Sequence, residues 1–175
     1  MNKFYSLLAT AMFAVSVNAQ TTTEVVNDTF SYTGALNANG WATHSGTAGQ
    51  ILSDGNVAKL IAGNSEDINR AFSTSYPVAA GKVSVANYSA TINIASATGL
   101  TTAGDYFLML SSTAGTTVTS LYARLFVKGS ATGYTLGILN NSGGTVSPTY
   151  GTEIPYGTPA NISVTYTIDN SIATP

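Results

Sequence analysis

Beyond residue 20 the chain has no stretch with apolar residues at i, i+3, i+4 and i+7 over three turns. Alternation of period two recurs instead, the mark of strands with one face turned inward. Val26, Phe30 and Tyr32 share one parity, and Ile68, Arg70 and Phe72 share another after Glu66. Tyr88, Ala90, Ile92 and Ile94 alternate with Ser89, Thr91 and Asn93; Ile162, Val164, Tyr166 and Ile168 alternate with Ser163, Thr165 and Thr167. Residues 105–111 form a dense run around Tyr106-Phe107-Leu108-Met109-Leu110. In residues 121–128 both parities are bulky: Leu121, Ala123, Leu125 and Val127 on one, Tyr122, Arg124, Phe126 and Lys128 on the other. That pattern predicts a central strand covered on both sides. Turn signals separate the runs at Asn39-Gly40, Asp54-Gly55, Ala80-Gly81, Lys128-Gly129 and Ser142-Gly143-Gly144. Short strands at this spacing predict an all-β fold of antiparallel sheets, a sandwich or barrel. No fixed period relates the segments, which speaks against a solenoid.

The first nineteen residues stand apart from this pattern. Lys3 precedes an apolar run from Leu7 to Val17, and Val17-Asn18-Ala19 before Gln20 resembles an export cleavage site. The run falls short of the 20 or so apolar residues that span a bilayer. Residues 1–19 are therefore expected to be a signal peptide, and the protein to be secreted, extracellular or at the cell surface. Residues 20–168 are expected to form one domain, long enough to bury a sizeable core.

Composition narrows the chemistry. Only 8% of residues are charged, against roughly 25% in an ordinary soluble domain. The surface must be wetted by neutral groups, and 26 Thr and 19 Ser supply them. Six basic residues are too few for the phosphate contacts that nucleic-acid binding rests on. The lack of cysteine removes disulfides and thiolate metal sites, and a single histidine removes a multi-histidine zinc. Without the leader, five basic residues face eight acidic ones, so the remaining chain is mildly acidic.

Two segments carry a more specific likeness. Asp28-Thr29-Phe30-Ser31-Tyr32 leads to Asn39-Gly40-Trp41-Ala42-Thr43-His44-Ser45-Gly46. Ser65-Glu66-Asp67-Ile68-Asn69-Arg70-Ala71-Phe72 is followed by Gly104-Asp105-Tyr106-Phe107 and Arg124-Leu125-Phe126-Val127-Lys128. This order of motifs, running from Asp28 to Ile168, resembles the secreted concanavalin A-like, LamG-type jelly-roll domains of Bacteroidetes. The resemblance implies two packed, curved antiparallel sheets in a larger polypeptide, often one exported by the type IX pathway. It also implies a further strand after Tyr166-Thr167-Ile168. Residues 169–175 then read as a truncated end or linker, with a sheet that lacks its last strand and leaves an edge open to aggregation.

Candidate chemistry is sparse. Glycoside hydrolysis needs two carboxyls about 5–9.5 Å apart across the scissile bond. The only close pair, Glu66 and Asp67, is adjacent and should point to opposite faces. His44 beside Ser45 lacks a nucleophile elbow. The expectation is thus a non-enzyme, with a glycoside hydrolase as the weakest alternative. Calcium takes six to eight oxygens; Asp54, Glu66, Asp67 and Asp105 are the carboxylates offered for it, although no D-x-D-x-D-G loop is present. A glycan site would need an aromatic platform and polar partners. Trp41, Tyr76, Tyr122, Tyr134 and Tyr150 are the available rings, and Trp41, His44, Asn69, Arg70 and Tyr122 form the short set of candidate ligand contacts. Arg70 shares a parity with apolar neighbours and is expected to turn inward onto Asp67 or Asp105. The expected function is a non-catalytic carbohydrate-binding or surface-attachment module, with a purely structural or adhesin spacer as its competitor. Two placed charge clusters, Glu66-Asp67-Arg70 and Arg124 with Lys128, mark where a ligand would be sought.

Overall fold

A computed structural model describes residues 23–74, 80–140 and 146–171 of the chain. The expected leader and Tyr76 lie outside the described residues. Eleven strands follow one another: β1 Thr33–Ala35, β2 Ala42–Ser45, β3 Leu52–Asp54, β4 Ala58–Lys59, β5 Asp67–Asn69, β6 Val83–Ile92, β7 Asp105–Ser111, β8 Leu121–Gly129, β9 Gly133–Leu139, β10 Thr149–Pro155 and β11 Ala160–Asp169. Among the described residues the one helical element is a single 3-10 turn, Leu36–Ala38. Every strand pairing is antiparallel. The protein is all-β and open rather than closed into a barrel, as the alternation predicts.

A four-stranded sheet in the order β10-β9-β8-β7 forms the body, and a two-stranded ribbon of β11 and β6 packs on one of its faces. β8 lies inside the sheet, and Leu125, Phe126 and Val127 are all buried, which is why both of its parities are bulky. Tyr134 of β9 is fully buried at the end of the ribbon-facing side, where its hydroxyl donates to the Thr158 carbonyl at 2.9 Å. It is a core plug and offers no open ring. On β11, Val164 is buried while Asn161, Ser163, Thr165 and Thr167 are exposed. The apolar set of β11 thus faces the sheet and its hydroxyls face water, while on β6 Val83 and Val85 are exposed on the outer face.

Two local departures from simple alternation matter. The expected strand at Val26–Tyr32 does not form: the Asp28 carboxylate accepts the Phe30 N–H two residues on, and Phe30 turns left-handed at φ 53°. Asn and Asp side chains that bond the backbone two residues ahead make turns in this way, so the strand begins only at Thr33. In β8, Ala123 is left-handed at φ 47°, and the three steps from Tyr122 to Leu125 oppose the two steps from Leu110 to Leu108 on β7. An extra residue reverses parity. Tyr122 therefore joins the ribbon-facing side, stacks on Tyr166 with centroids 5.5 Å apart, and leaves the face of Arg124.

Two smaller sheets, β1-β3-β4 and β2-β5, form the N-terminal half around Leu36 and Ile51, both buried. Asn69 staples this half to the loop after β7. Its amide donates to the carbonyls of Ala42 and Gly115 and accepts the Gly115 N–H at 2.8 Å.

Candidate functional site

The charged cluster of the N-terminal half is built around Asp28. Its Oδ2 accepts from Trp41 Nε1 and Arg70 at 2.7 Å and from the Tyr32 hydroxyl at 3.0 Å. Burial pushes the Asp28 carboxyl up, but the bonds from Trp41, Phe30 and Tyr32 and the Arg70 charge outweigh it and hold the group below its usual range. Arg70 turns inward as its parity suggests, yet its partner is Asp28, not Asp67 or Asp105. Phe30 stacks on Trp41 with centroids 6.3 Å apart. The indole N–H and the guanidinium are thus committed to an internal network, a fixture that ties the first described residues to β5.

Glu66 is the second fixture. It is 7% exposed, and its two oxygens accept four hydrogen bonds: Thr43 Oγ1 at 2.5 Å and Gly49 N at 3.0 Å on one, Gln50 N at 2.6 Å and Ile51 N at 2.7 Å on the other. Successive N–H groups closing on one carboxylate form an anion-binding nest. Those donors point their positive ends at the oxygens, so Glu66 has no lone pair directed at a cation. The other carboxylates offered for calcium are dispersed. Asp54 pairs with Lys59 at 2.7 Å, Asp67 is exposed and accepts the Ser45 hydroxyl, and Asp105 accepts the Tyr106 N–H at 2.8 Å. Among the described residues no three His, Asp or Glu side chains come together to hold a metal.

His44 of β2 is half-buried, and its Nδ1 is enclosed without a hydrogen-bond partner. Since Ser45 is bonded to Asp67, these neighbours form no nucleophile–base pair. Of the short set of ligand candidates, Trp41 and Arg70 meet on Asp28, Asn69 is saturated by backbone, and Tyr122 is stacked between sheet and ribbon. None presents a free platform.

An arrangement of that kind lies on the other face of the four-stranded sheet. Tyr150 opposes Gly137, Gly137 opposes Phe126, and Phe126 opposes Tyr106, so one rung crosses all four strands with three rings on it. Gly137 makes this possible, because a Cβ there would stand 2.7–3.1 Å from the Tyr150 ring. With no side chain on β9, the ring lies flat across that strand and its hydroxyl reaches the Ala103 carbonyl beyond. Residues two before and two after Phe126 share its face. Arg124 sits 5.5 Å from the Tyr106 centroid and 5.4 Å from that of Phe126, and Lys128 sits 4.1 Å from that of Tyr150. All lie within cation–π reach. Tyr106 is 41% exposed, and Phe126 lies buried beneath the cations. Burial and the nearby Asp105 charge push the Tyr150 phenol up. The rung depends on register, which the sequence does not give; Tyr150 and the paired cations Arg124 and Lys128 are its signals in the sequence, while Tyr106 and Phe126 are not marked there as platform rings.

The architecture and this stripe define a class: an antiparallel β-sandwich protein with one aromatic, cation-flanked sheet face. Beyond that class, no family model, no curated protein and no solved structure matches the chain. Among the described residues no helix is long and apolar enough to cross a membrane.

Proposed function

We propose that this chain is a non-catalytic recognition module, exported by residues 1–19 and related to the LamG-type jelly rolls, that binds a neutral polysaccharide or surface glycan on the stripe Tyr150–Gly137–Phe126–Tyr106. The observation that carries the proposal is the alignment of exposed Tyr106 and flat-lying Tyr150 on one rung with Arg124, Lys128 and Asp105 beside them. Sugar rings stack their C–H faces on such aromatics while charged and amide groups take the hydroxyls, and shallow sites of this type need little rearrangement. The competing reading is a structural or adhesin spacer. One feature favours it: Lys128 already covers Tyr150, so the stripe satisfies itself without a ligand.

Retention on insoluble cellulose, chitin and β-1,3-glucan, with and without chelator, separates the two. The glycan reading expects retention of the wild type on at least one polymer and a loss of at least tenfold in Tyr106→Ala with an unchanged melting temperature. Trp41→Ala should lower the melting temperature instead, because that ring is part of the Asp28 fixture. Absence of retention on every polymer, or retention indifferent to Tyr106→Ala, would refute the glycan reading.

A further inference from the structure

The free edges of the sheets are not alike. β7 opens on Asp105 and carries two register shifts against β8, and β10 carries a shift between Tyr150 and Glu153, a charge at Glu153 and a proline at its end. Charges, prolines and bulges are the devices that stop an edge from pairing with another chain. β11 has none of them along its length. It pairs with β6 through ten consecutive residues without a shift, contains no proline, and bears no charge before Asp169. Among the described residues nothing pairs with its other side.

β6 is equally regular, and β11 borders a groove. That groove has a volume of about 450 Å³. One wall is Asn161, Ile162, Ser163 and Val164, and Leu136 and Ile138 of β9 lie across from it. Consecutive side chains of a strand point to opposite faces. Four consecutive residues lining one groove therefore mean that the backbone edge of β11 looks into it. No lining residue is charged, and Ile138 is 42% exposed there.

We infer that this groove is a strand-acceptor site, filled by an extended polypeptide segment of a partner protein with small or apolar side chains at alternate, inward positions. The unpaired row of backbone N–H and C=O groups asks for a backbone partner, as in strand addition to other sheet edges. The uncharged walls ask for apolar or small side chains. Residues 161–164 extend about 13 Å, enough to engage three or four residues of an added strand. A second copy of this chain does not fit the same place. Thr149 and Gly151 of β10 also line the groove, so the four-stranded sheet continues past β11. An edge-to-edge pair would bring the second copy's own sheet into that space. Gly137 and Tyr150 of the glycan stripe also line the groove, but the stripe's rings lie on the opposite face of the sheet, so the peptide and polysaccharide tests read different surfaces.

The test uses the chain without its first nineteen residues and a synthetic peptide of four Thr-Val repeats with a lysine at each end. Hydrogen exchange should show residues 161–165 protected at least tenfold by the peptide, with β8 and β9 unchanged. A Thr-Glu peptide of the same length, which turns charges onto the apolar floor, should give no protection. Ile138→Lys should weaken binding of the Thr-Val peptide at least tenfold, read by fluorescence anisotropy. No protection of β11 by the Thr-Val peptide, or equal protection by both peptides, would overturn the inference. A dimer at micromolar concentration that the Thr-Val peptide fails to dissociate would also overturn it, by giving the edge to a second copy.

Discussion

Glu66→Gln isolates the contribution of the nest with almost no change of shape. In the wild type a buried carboxylate accepts four hydrogen bonds, three of them from backbone N–H groups. An amide can keep its oxygen on one pair of donors, but its NH₂ must then face the other pair. If the oxygen stays with Gln50 and Ile51, the Thr43 hydroxyl rotates and accepts, while the Gly49 N–H meets another donor. An unsatisfied buried donor costs about 1–3 kcal/mol, and two bonds that fall from charged to neutral lose roughly 0.5–1.5 kcal/mol each. The expected loss is about 3 kcal/mol. For a domain of this length each kcal/mol moves the melting temperature by about 2–4 °C, so the midpoint should fall by roughly 6–12 °C. The pH dependence gives a second handle. Burial alone would raise the Glu66 carboxyl, but the bonds from Thr43, Ile51, Gly49 and Gln50 prevail and hold it below 4.5 in the folded protein. A depressed carboxyl contributes stability that is fully present above its unfolded value and lost as pH falls through the folded value. The gap between wild type and Glu66→Gln should thus be full at pH 7 and shrink below about pH 4.5. Circular-dichroism melts at pH 7, 5, 4 and 3 read both effects. A midpoint within 2 °C of wild type at pH 7, or a gap that does not narrow on acidification, would refute the reasoning.

Two further outcomes follow from the same geometry. Gly46 and Gly49 are both left-handed, at φ 74° and 84°, but a Cβ on Gly46 would stand 1.7 Å from the Ser65 carbonyl oxygen while one on Gly49 would meet nothing within 4 Å. Gly49→Ala should therefore cost only the conformational penalty of about 1–2 kcal/mol, whereas Gly46→Ala must displace backbone and should cost more than about 4 kcal/mol; equal melting temperatures for the two variants would contradict this. Tyr88 donates to the Ala123 carbonyl at 2.6 Å, and burial pushes its phenol up to about 12. Tyr88→Phe should cost about 1 kcal/mol and remove one tyrosine's absorbance change near pH 12 in a rapid pH jump, and an unchanged amplitude would show that the phenol titrates elsewhere.

The long strands were legible because their inward and outward sets alternate without interruption. β7, β8 and β11 lie within a residue or two of where the pattern puts them. β9 and β10 were not, for a reason the structure makes plain. Gly137, Gly151 and Pro155 are locally the residues that weaken or end a strand. Here Gly137 leaves the space in which the Tyr150 ring lies. The short strands of the N-terminal half hold two to four residues each, too few for alternation to register. Asp28 illustrates the limit for the site. Its carboxylate meets Arg70, 42 positions away, across segments that no local pattern brings together.

The low charge content takes on a structural meaning once these contacts are placed. Asp28 and Arg70 close one network, Asp54 holds Lys59, and Glu66 fills a nest. Arg124 and Lys128 lie over rings, while Glu153 accepts from Ser130 and Thr132. The partners of the two ion pairs neutralise each other at short range, and salt screens the remaining exposed charges beyond a Debye length of about 8 Å. Along most of its length the ribbon turns neutral polar groups outward, Asn87, Ser89 and Thr91 beside Thr165, Ser163 and Asn161, with a charge on β11 only at its end, Asp169. With so few charges, several of them paired, the described residues offer little long-range steering of a charged partner. The proposed recognition would then rest on contact chemistry, rings on one face of the sheet and the edge of β11 beside the other, and both would favour partners that are themselves nearly uncharged.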